Sequence, residues 1–327
     1  MRRKILIISG VSIDRTPVVK YTLEKFSQEN IQIQEIEYSG SRLQFIFTSL
    51  LYLFRGNNSH VIFVGLQTLP LLTIAHLFKI NVSYWFLESY LGIEDNSIAL
   101  KMLKLEKFVK WPYVTAIFPI KERFEPYRNR KFKNVLIFPN APSLGNTFFS
   151  RKYHKNKTLK LAFYGALNNS NVYVKEFIQF ASRFPNIQLD FFGFSFNEDI
   201  ENLENVRYLG SLEHKELLER LKKYHFTIVG YRPNNFNTKF CAPNKLFESF
   251  SLSLPVIMNK NNPTLKNFEY AKSVGVLVDF NKLDRNFYKT LIDCNYVYYN
   301  KKSFQLYQSK YNLDVLYPEL KKTLSIN

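Results

Sequence analysis

Short apolar runs alternate along this chain with longer stretches whose apolar positions recur every three or four residues. The runs KILIIS (4–9), IQIQEIE (31–37), VIFVG (61–65), VSYWFL (82–87), VTAIF (114–118) and NVLIFP (134–139) read as strands. Between them, 15–28, 67–79 and 97–110 carry helical spacing. Repeated strand–helix–strand order predicts a parallel sheet covered by helices on both faces. The pattern breaks over PNAPSLGNTFFSRKYHKNKT (139–158), where Pro, Asn, Gly, Ser and Lys collect as in a linker. It then restarts. Strands are expected at 159–165, 187–193, 206–210, 226–231, 255–259 and 274–280, and helices at 171–183, 212–224 and 243–252, followed by a helical tail at 282–325.

The 327 residues suit two α/β domains better than one compact core. The expected division is a first domain over 1–145, a linker over 146–158, a second domain over 159–300, and terminal helices over 301–327 that can pack back on the first domain. Two doubly wound domains would face each other across a cleft. In such sheets ligands sit beyond the carboxyl ends of the strands. Residues 9–12, Glu88, 119–121, Asn140, 165–167, Gly193, Gly210, Tyr231 and 241–248 fall there.

The segment CAPNKLFESFSLSLPVI (241–257) carries the sharpest chemistry. Pro243 suits a first helical position, because the N–H it lacks would be unpaired anyway. The N–H groups of Asn244, Lys245 and Leu246 would then open at a helix N-terminus, whose partial positive charge attracts phosphate. Lys245 adds a full charge, and Glu248, three residues on, shares its face. A diphosphate at the helix end and ribose hydroxyls on the carboxylate make a coherent nucleotide site. Alone, a Lys and a Glu at this spacing read as a surface ion pair worth a few tenths of a kcal/mol. The position between a strand and the next, at a strand's carboxyl end, favours the nucleotide.

APNKLFESFSLSLPVI closely resembles the donor-binding helix of GT-B fold glycosyltransferases, in particular the family-four group that builds bacterial capsule, exopolysaccharide and lipopolysaccharide. SIDRTPVVKYTLEKF, FPNAP (138–142) and LAFYGAL (161–167) resemble, in order, that family's first loop and helix, its Pro-Asn segment and its donor-domain Gly turn. The resemblance spans most of the chain, and its specific part is 243–257. It implies Glu248 on the ribose, Lys245 on the diphosphate, and Tyr164, Gly165 and Gly193 around the donor, with Gly10 and Arg15 toward the acceptor. It also implies retention at the anomeric carbon. Four positions depart from the family. Ala166 and about Asn171 stand where many relatives place an Arg and a Lys, Phe240 stands where many have a second Glu, and Leu87–Glu88 replaces a His followed by an acid. Glu88 is thereby a candidate acceptor-side or catalytic acid, weighed against an ordinary helix-start acid.

Composition narrows the classes. The formal charge is +18, with 19 Lys/Arg against 11 Asp/Glu in residues 1–150 and 26 against 16 in the rest. Charge spread so evenly, with no zinc-finger or RNP-like pattern, argues against a nucleic-acid binder. Two cysteines make no disulfide framework. The opening MRRKILIISG reads as a first strand, not a signal peptide, because it breaks at Asp14 and Arg15. LQFIFTSLLYLF (43–54) is shorter than the ~20 residues of a membrane span. The charge and that run are compatible with peripheral contact with an anionic membrane, although helix 97–111, with Ile98, Met102, Leu105 and Val109 on one face, reads first as a core helix. No Asp-x-Asp, P-loop, G-x-G-x-x-G or metal-spaced histidine set occurs.

The expectation is a cytoplasmic GT-B glycosyltransferase at the inner membrane face. It would use no metal and no cofactor beyond a nucleotide-sugar, UDP-sugar favoured, and act on a saccharide or undecaprenyl-linked acceptor. The alternative is a catalytically silent GT-B subunit that binds nucleotide or a partner enzyme. A nucleotide-sugar 2-epimerase would need acids and a His gathered near the sugar, which the sequence does not display.

Overall fold

The computed structural model describes residues 4–14, 16–55, 58–78, 80–88, 97–145, 147–149 and 157–326. The chain divides into two compact units, Met1–Ser143 with Leu313–Asn327, and Leu144–Asn312.

The first unit runs β1 (Lys4–Ser9), α1 (Pro17–Gln28), β2 (Gln32–Glu37), α2 (Arg42–Arg55), β3 (His60–Val64), α3 (Leu69–Ala75), β4 (Asn81–Trp85), α4 (Ser97–Glu106), β5 (Val114–Phe118), α5 (Lys121–Phe124) and β6 (Asn134–Ile137). The second runs β7 (Leu159–Ala166), α6 (Val174–Ser182), β8 (Ile187–Phe194), β9 (Val206–Tyr208), α7 (His214–Leu221), β10 (Phe226–Val229), α8 (Phe236–Lys239), α9 (Asn244–Ser251), β11 (Val256–Asn259), α10 (Pro263–Asn267), β12 (Gly275–Val278), α11 (Arg285–Asp293) and α12 (Tyr296–Ser309). The last helix, α13 (Leu313–Thr323), returns to the first unit.

Each unit has one six-stranded sheet, ordered β2-β1-β3-β4-β5-β6 and β12-β11-β10-β7-β8-β9, with every pairing parallel. Sheets buried on both faces explain why β3 and β5 read as continuous apolar runs and not as alternation. In the second unit the strand order reverses at β7, which has β8 on one side and β10 on the other. β7 pairs with β8 over eight residues, but with β10 only at Leu161 and Ala162. Toward their carboxyl ends β7 and β10 therefore part, which is the switch-point geometry that receives ligands in open α/β sheets.

Most element boundaries lie within three residues of the sequence pattern. Helix 67–79 is shorter than its period suggests: α3 is flanked by the 3-10 turns Leu66–Thr68 and His76–Phe78. α8 and α10 are too short to show a period, yet each is capped, by Asn235 and Asn262. Leu144, just before the segment expected as a linker, and Phe149, within it, pack on the second unit: Leu144 N–H donates to the Tyr307 hydroxyl (2.9 Å) and Phe149 N–H to Ser253 Oγ (3.2 Å). Within that segment, 146 and 150–156 lie outside the described residues.

α13 is integral to the first unit. Leu313, Tyr317, Leu320, Leu324 and Ile326 join a buried cluster with Val18, Val19 and Phe26 of α1 and Ile62 of β3. Lys25–Asp314 and Lys321–Glu29 ion pairs, both 2.6 Å, flank it. Leu320 is fully buried. Leu320→Ala is expected to cost the first unit about 2–5 kcal/mol in chemical denaturation. A merely surface-lying tail would give no measurable change.

Candidate functional site

α9 is buried from its second residue to its last, the polar Lys245, Glu248, Ser249 and Ser251 included. The buried polar groups have to be partnered, and mostly they are. Ser249 Oγ donates to the Lys245 carbonyl (2.5 Å) and meets Thr227 Oγ1 (2.6 Å), while Ser251 Oγ donates to the Glu248 carbonyl (2.6 Å). The exception is the ammonium of Lys245. Among the described residues it makes no hydrogen bond and no ion pair, although the residue is only 7% exposed.

Geometry explains how it is held. Lys245 Nζ lies 5.0 Å from the ring centre of Tyr231, 5.7 Å from Tyr164 and 5.8 Å from Phe163. Rings at that distance attract a cation through their negative faces. The end of the side chain rests against Gly165, where a Cβ would come 2.8 Å from Cε and 2.9 Å from Nζ. Gly165 also has φ +102°, which a side chain rarely tolerates. Gly193, its register partner on β8, has φ +139°, and a Cβ there would stand 1.8 Å from the Gly165 carbonyl oxygen. Two glycines thus keep the carboxyl ends of β7 and β8 bare beside a buried cation. Desolvation is the main cause that lowers the Lys245 pKa, to about 8, and the nearby Glu248 carboxylate opposes it.

The helix start differs from the sequence expectation. Pro243 is the cap residue, with extended ψ of 121°, and Asn244 is the first helical residue. The Leu246 N–H therefore donates to the Pro243 carbonyl (3.1 Å) and is not free. The N–H groups of Asn244 and Lys245 have no partner among the described residues, and no side chain caps α9.

Glu248 is not paired with Lys245, so the simple surface ion pair does not form. Its carboxylate is held from two other sides. His214 Nε2 lies 2.9 Å from Oε1. The Tyr164 hydroxyl lies 3.1 Å from Oε2 and 3.2 Å from the Lys245 carbonyl, sharing its single hydrogen between them. Burial, followed by the Glu248 charge, pushes the Tyr164 phenol well above its usual pKa, so it stays a donor. An ionised carboxylate accepts about four hydrogen bonds, more than these two contacts supply. Tyr164, 3% exposed, acts beneath the site as a support.

His214 is the residue sequence reasoning missed. It opens α7, 34 positions before Glu248, and no spacing rule links the two. Other candidates fall elsewhere. Gly10 directly follows β1, where a Cβ would meet Gln67 Cβ at 2.6 Å. Glu88 is exposed beyond β4, and Arg15 lies outside the described residues. At three of the departures from the family pattern, Ala166 is exposed, the Asn171 carbonyl accepts the Arg232 N–H (2.8 Å), and Phe240 packs on Phe236 at 4.8 Å. The Arg232 guanidinium does not replace a missing phosphate ligand, because both its bonds at one nitrogen go to Glu176 (2.7 and 2.8 Å).

No family model matches the chain, and no curated protein matches it in sequence. Solved structures do match it. HepE of Anabaena, in a crystal structure with UDP and glucose, is 13% identical with a TM-score of 0.69, covering 99% of this chain and 100% of its own. The lipopolysaccharide outer core galactosyltransferase WaaB, in its apo form, is 12% identical with a TM-score of 0.63, covering 98% and 99%. A protein assigned as a UDP-N-acetylglucosamine 2-epimerase from Listeria monocytogenes is 8% identical with a TM-score of 0.55, covering 92% and 90%. Identities this low speak for architecture and leave the choice of chemistry to the site. The chain has the GT-B fold: two α/β units, each built on a six-stranded parallel sheet.

Proposed function

We propose that this chain is a glycosyltransferase that moves a sugar from a nucleotide diphosphate-sugar to a saccharide acceptor. The observation that carries the reading is the buried Lys245 ammonium without a protein partner, at the open N-terminus of α9 and beside Gly165. A buried unpaired charge is costly unless something else pairs it. A diphosphate would do so, received by Lys245 and the N–H groups of Asn244 and Lys245. Glu248, one helical turn along, would take the ribose hydroxyls. As the sugar leaves, negative charge grows on the diphosphate oxygen that held it, and Lys245 with the helix end would stabilise that charge. The donor nucleotide is read as UDP because the HepE neighbour is described with UDP.

The finer reading extends to a metal-independent, retaining transfer onto a lipid-linked saccharide of bacterial capsule, exopolysaccharide or lipopolysaccharide, with Glu88 on the acceptor side. WaaB, a neighbour by fold, is named as a lipopolysaccharide enzyme. The epimerase reading gains one His from the structure, but His214 bonds the carboxylate assigned to the ribose, not a group near the sugar.

Thermal denaturation with UDP, GDP, CMP and ADP tests the reading. UDP at 100 times its dissociation constant should add about 2.7 kcal/mol of stability, and Glu248→Ala and Lys245→Met should abolish the shift. No shift with any nucleotide would remove the donor site. Binding without slow hydrolysis of any UDP-sugar would favour the silent subunit.

His214→Ala should raise the donor KM about fivefold to tenfold while kcat changes little, the loss of one charge-assisted positioning bond. His214→Gln, which retains a donor, should restore most of it. Equal kinetics for all three proteins would make the contact incidental.

Lys245 supplies a pH signature. Its folded pKa, about 8, lies below its ordinary 10.5, so the unfolded chain holds the extra proton. The group therefore costs stability at neutral pH, and the cost fades as pH rises from about 8 toward 10.5. A diphosphate favours the protonated form. UDP affinity should fall by up to about tenfold per pH unit above 8, with proton uptake visible as buffer-dependent binding heat. Lys245→Met should abolish that uptake.

A further inference from the structure

Lys245 is the one buried lysine among the described residues. Elsewhere, Lys20, Lys25 and Lys321 each meet a carboxylate at 2.6 Å, whereas the Lys245 ammonium meets none. Its neighbours are the rings of Tyr231, Tyr164 and Phe163, 5.0 to 5.8 Å away, and the bare backbone of Gly165. Such surroundings take water from a cation and return only the attraction of the ring faces. Burial of this kind favours the neutral amine, whose lone pair is a nucleophile, over the ammonium, which has no lone pair to give.

We infer that Lys245 is a carbamylation site: its neutral amine takes up dissolved carbon dioxide, and the product closes the donor site until the carbon dioxide leaves. The nitrogen lone pair attacks the carbon of carbon dioxide, and an N–C bond forms. One C=O π pair moves onto oxygen, and one N–H proton passes to solvent. Nothing is oxidised or reduced, and loss of carbon dioxide reverses the step. The electrophile is neutral and only three atoms long, so walls that disfavour a hydrated ion do not oppose its entry.

The product is an anion where a cation stood. The N–H groups of Asn244 and Lys245, which have no partner among the described residues, stand open at the same helix end to receive negative charge. Glu248 opposes the carbamate as a like charge, although its carboxylate is already engaged by His214 at 2.9 Å and the Tyr164 hydroxyl at 3.1 Å. Cys241 and the phenols of Tyr164 and Tyr231 are the other titratable groups around the amine. Free amine makes up about a tenth of Lys245 at pH 7 and about half at pH 8, so carbamate should increase over that range at fixed carbon dioxide. The modification stands on the burial of Lys245 and its lack of a partner. Its effect on the donor rests on the diphosphate reading proposed above, because the diphosphate would then meet a negative group in place of a positive one.

Chemical trapping on the full chain tests it. Wild type is equilibrated with isotopically labelled bicarbonate and carbon dioxide at about pH 8, treated with triethyloxonium to esterify carbamates, digested and weighed by mass spectrometry. The peptide that carries Lys245 should hold the labelled ester at on the order of 100-fold the level of surface lysines, a ratio that follows from the fall of its pKa from 10.5 to about 8. Saturating UDP should suppress the label. Carbon dioxide, at matched pH and ionic strength, should weaken UDP binding in proportion to the fraction modified, and degassing should restore it. Lys245→Arg, which keeps the charge but stays protonated, should lose both the label and the carbon dioxide effect. Absence of label on Lys245 in wild type overturns the inference, whatever the variant does. Weakened UDP binding without label identifies bicarbonate as a plain competing anion and also overturns it. Label on Lys245 with unchanged UDP affinity, or with no UDP binding at all, supports the carbamylation and overturns the closure, a failure of the diphosphate reading and not of the amine chemistry.

Discussion

The arrangement turns on one close approach, that of a lysine end to a glycine. An ammonium buried this deeply is tolerated only where its surroundings are shaped for it. Gly165 leaves the space, Gly193 lets the Gly165 carbonyl lie flat against β8, and three aromatic rings supply a weak negative surface. None of these replaces a hydrogen-bonding anion. The depressed Lys245 pKa expresses that shortfall. A buried charge that the protein leaves unpaired would gain a partner from an anion, which is the basis of the proposed diphosphate site.

Around that cation the rest of the second unit is positioned by ordinary packing. α9 is fixed by its buried face, with Leu246, Phe247 and Phe250 in a cluster with β10 and β11. Its polar face is fixed by Thr227, Ser249 and Ser251. Tyr164 and His214 then hold the Glu248 carboxylate from strand and helix, one oxygen each. Such a carboxylate has little rotamer freedom left to lose on binding, and preorganisation of that kind raises affinity without new contacts. The parting of β7 and β10 after Ala162 provides the room, and the reversal of strand order provides the reason that they part.

The first unit solves a different problem. Both sides of its sheet need cover, and three helices on one side and α1 with α13 on the other supply it. The cover on the α1 side is finished with ion pairs, while the α2 side keeps apolar groups and unbalanced positive charge outward. Those exposed groups contribute nothing to the core, and the fold would be no less stable with polar residues in their place.

The alternation of short apolar runs with helical spacing determined the two parallel sheets, because strands buried on both faces must be continuously apolar and crossovers must be long. The spacing of Lys245 and Glu248 determined that both belong to the first two turns of α9. Tertiary structure decided what those residues meet. Periodicity tells which residues share a side of an element, not which side turns to the sheet, so the outward stripe of α2 could not be separated from its buried one in 43–54. Pairings between residues 34 and 80 positions apart, His214 with Glu248 and Gly165 with Lys245, arise from strand order and have no local signal. The start of α9 shifted by one residue for a similar reason: Pro243 fits the first helical position by its own φ, but its extended ψ makes it the cap.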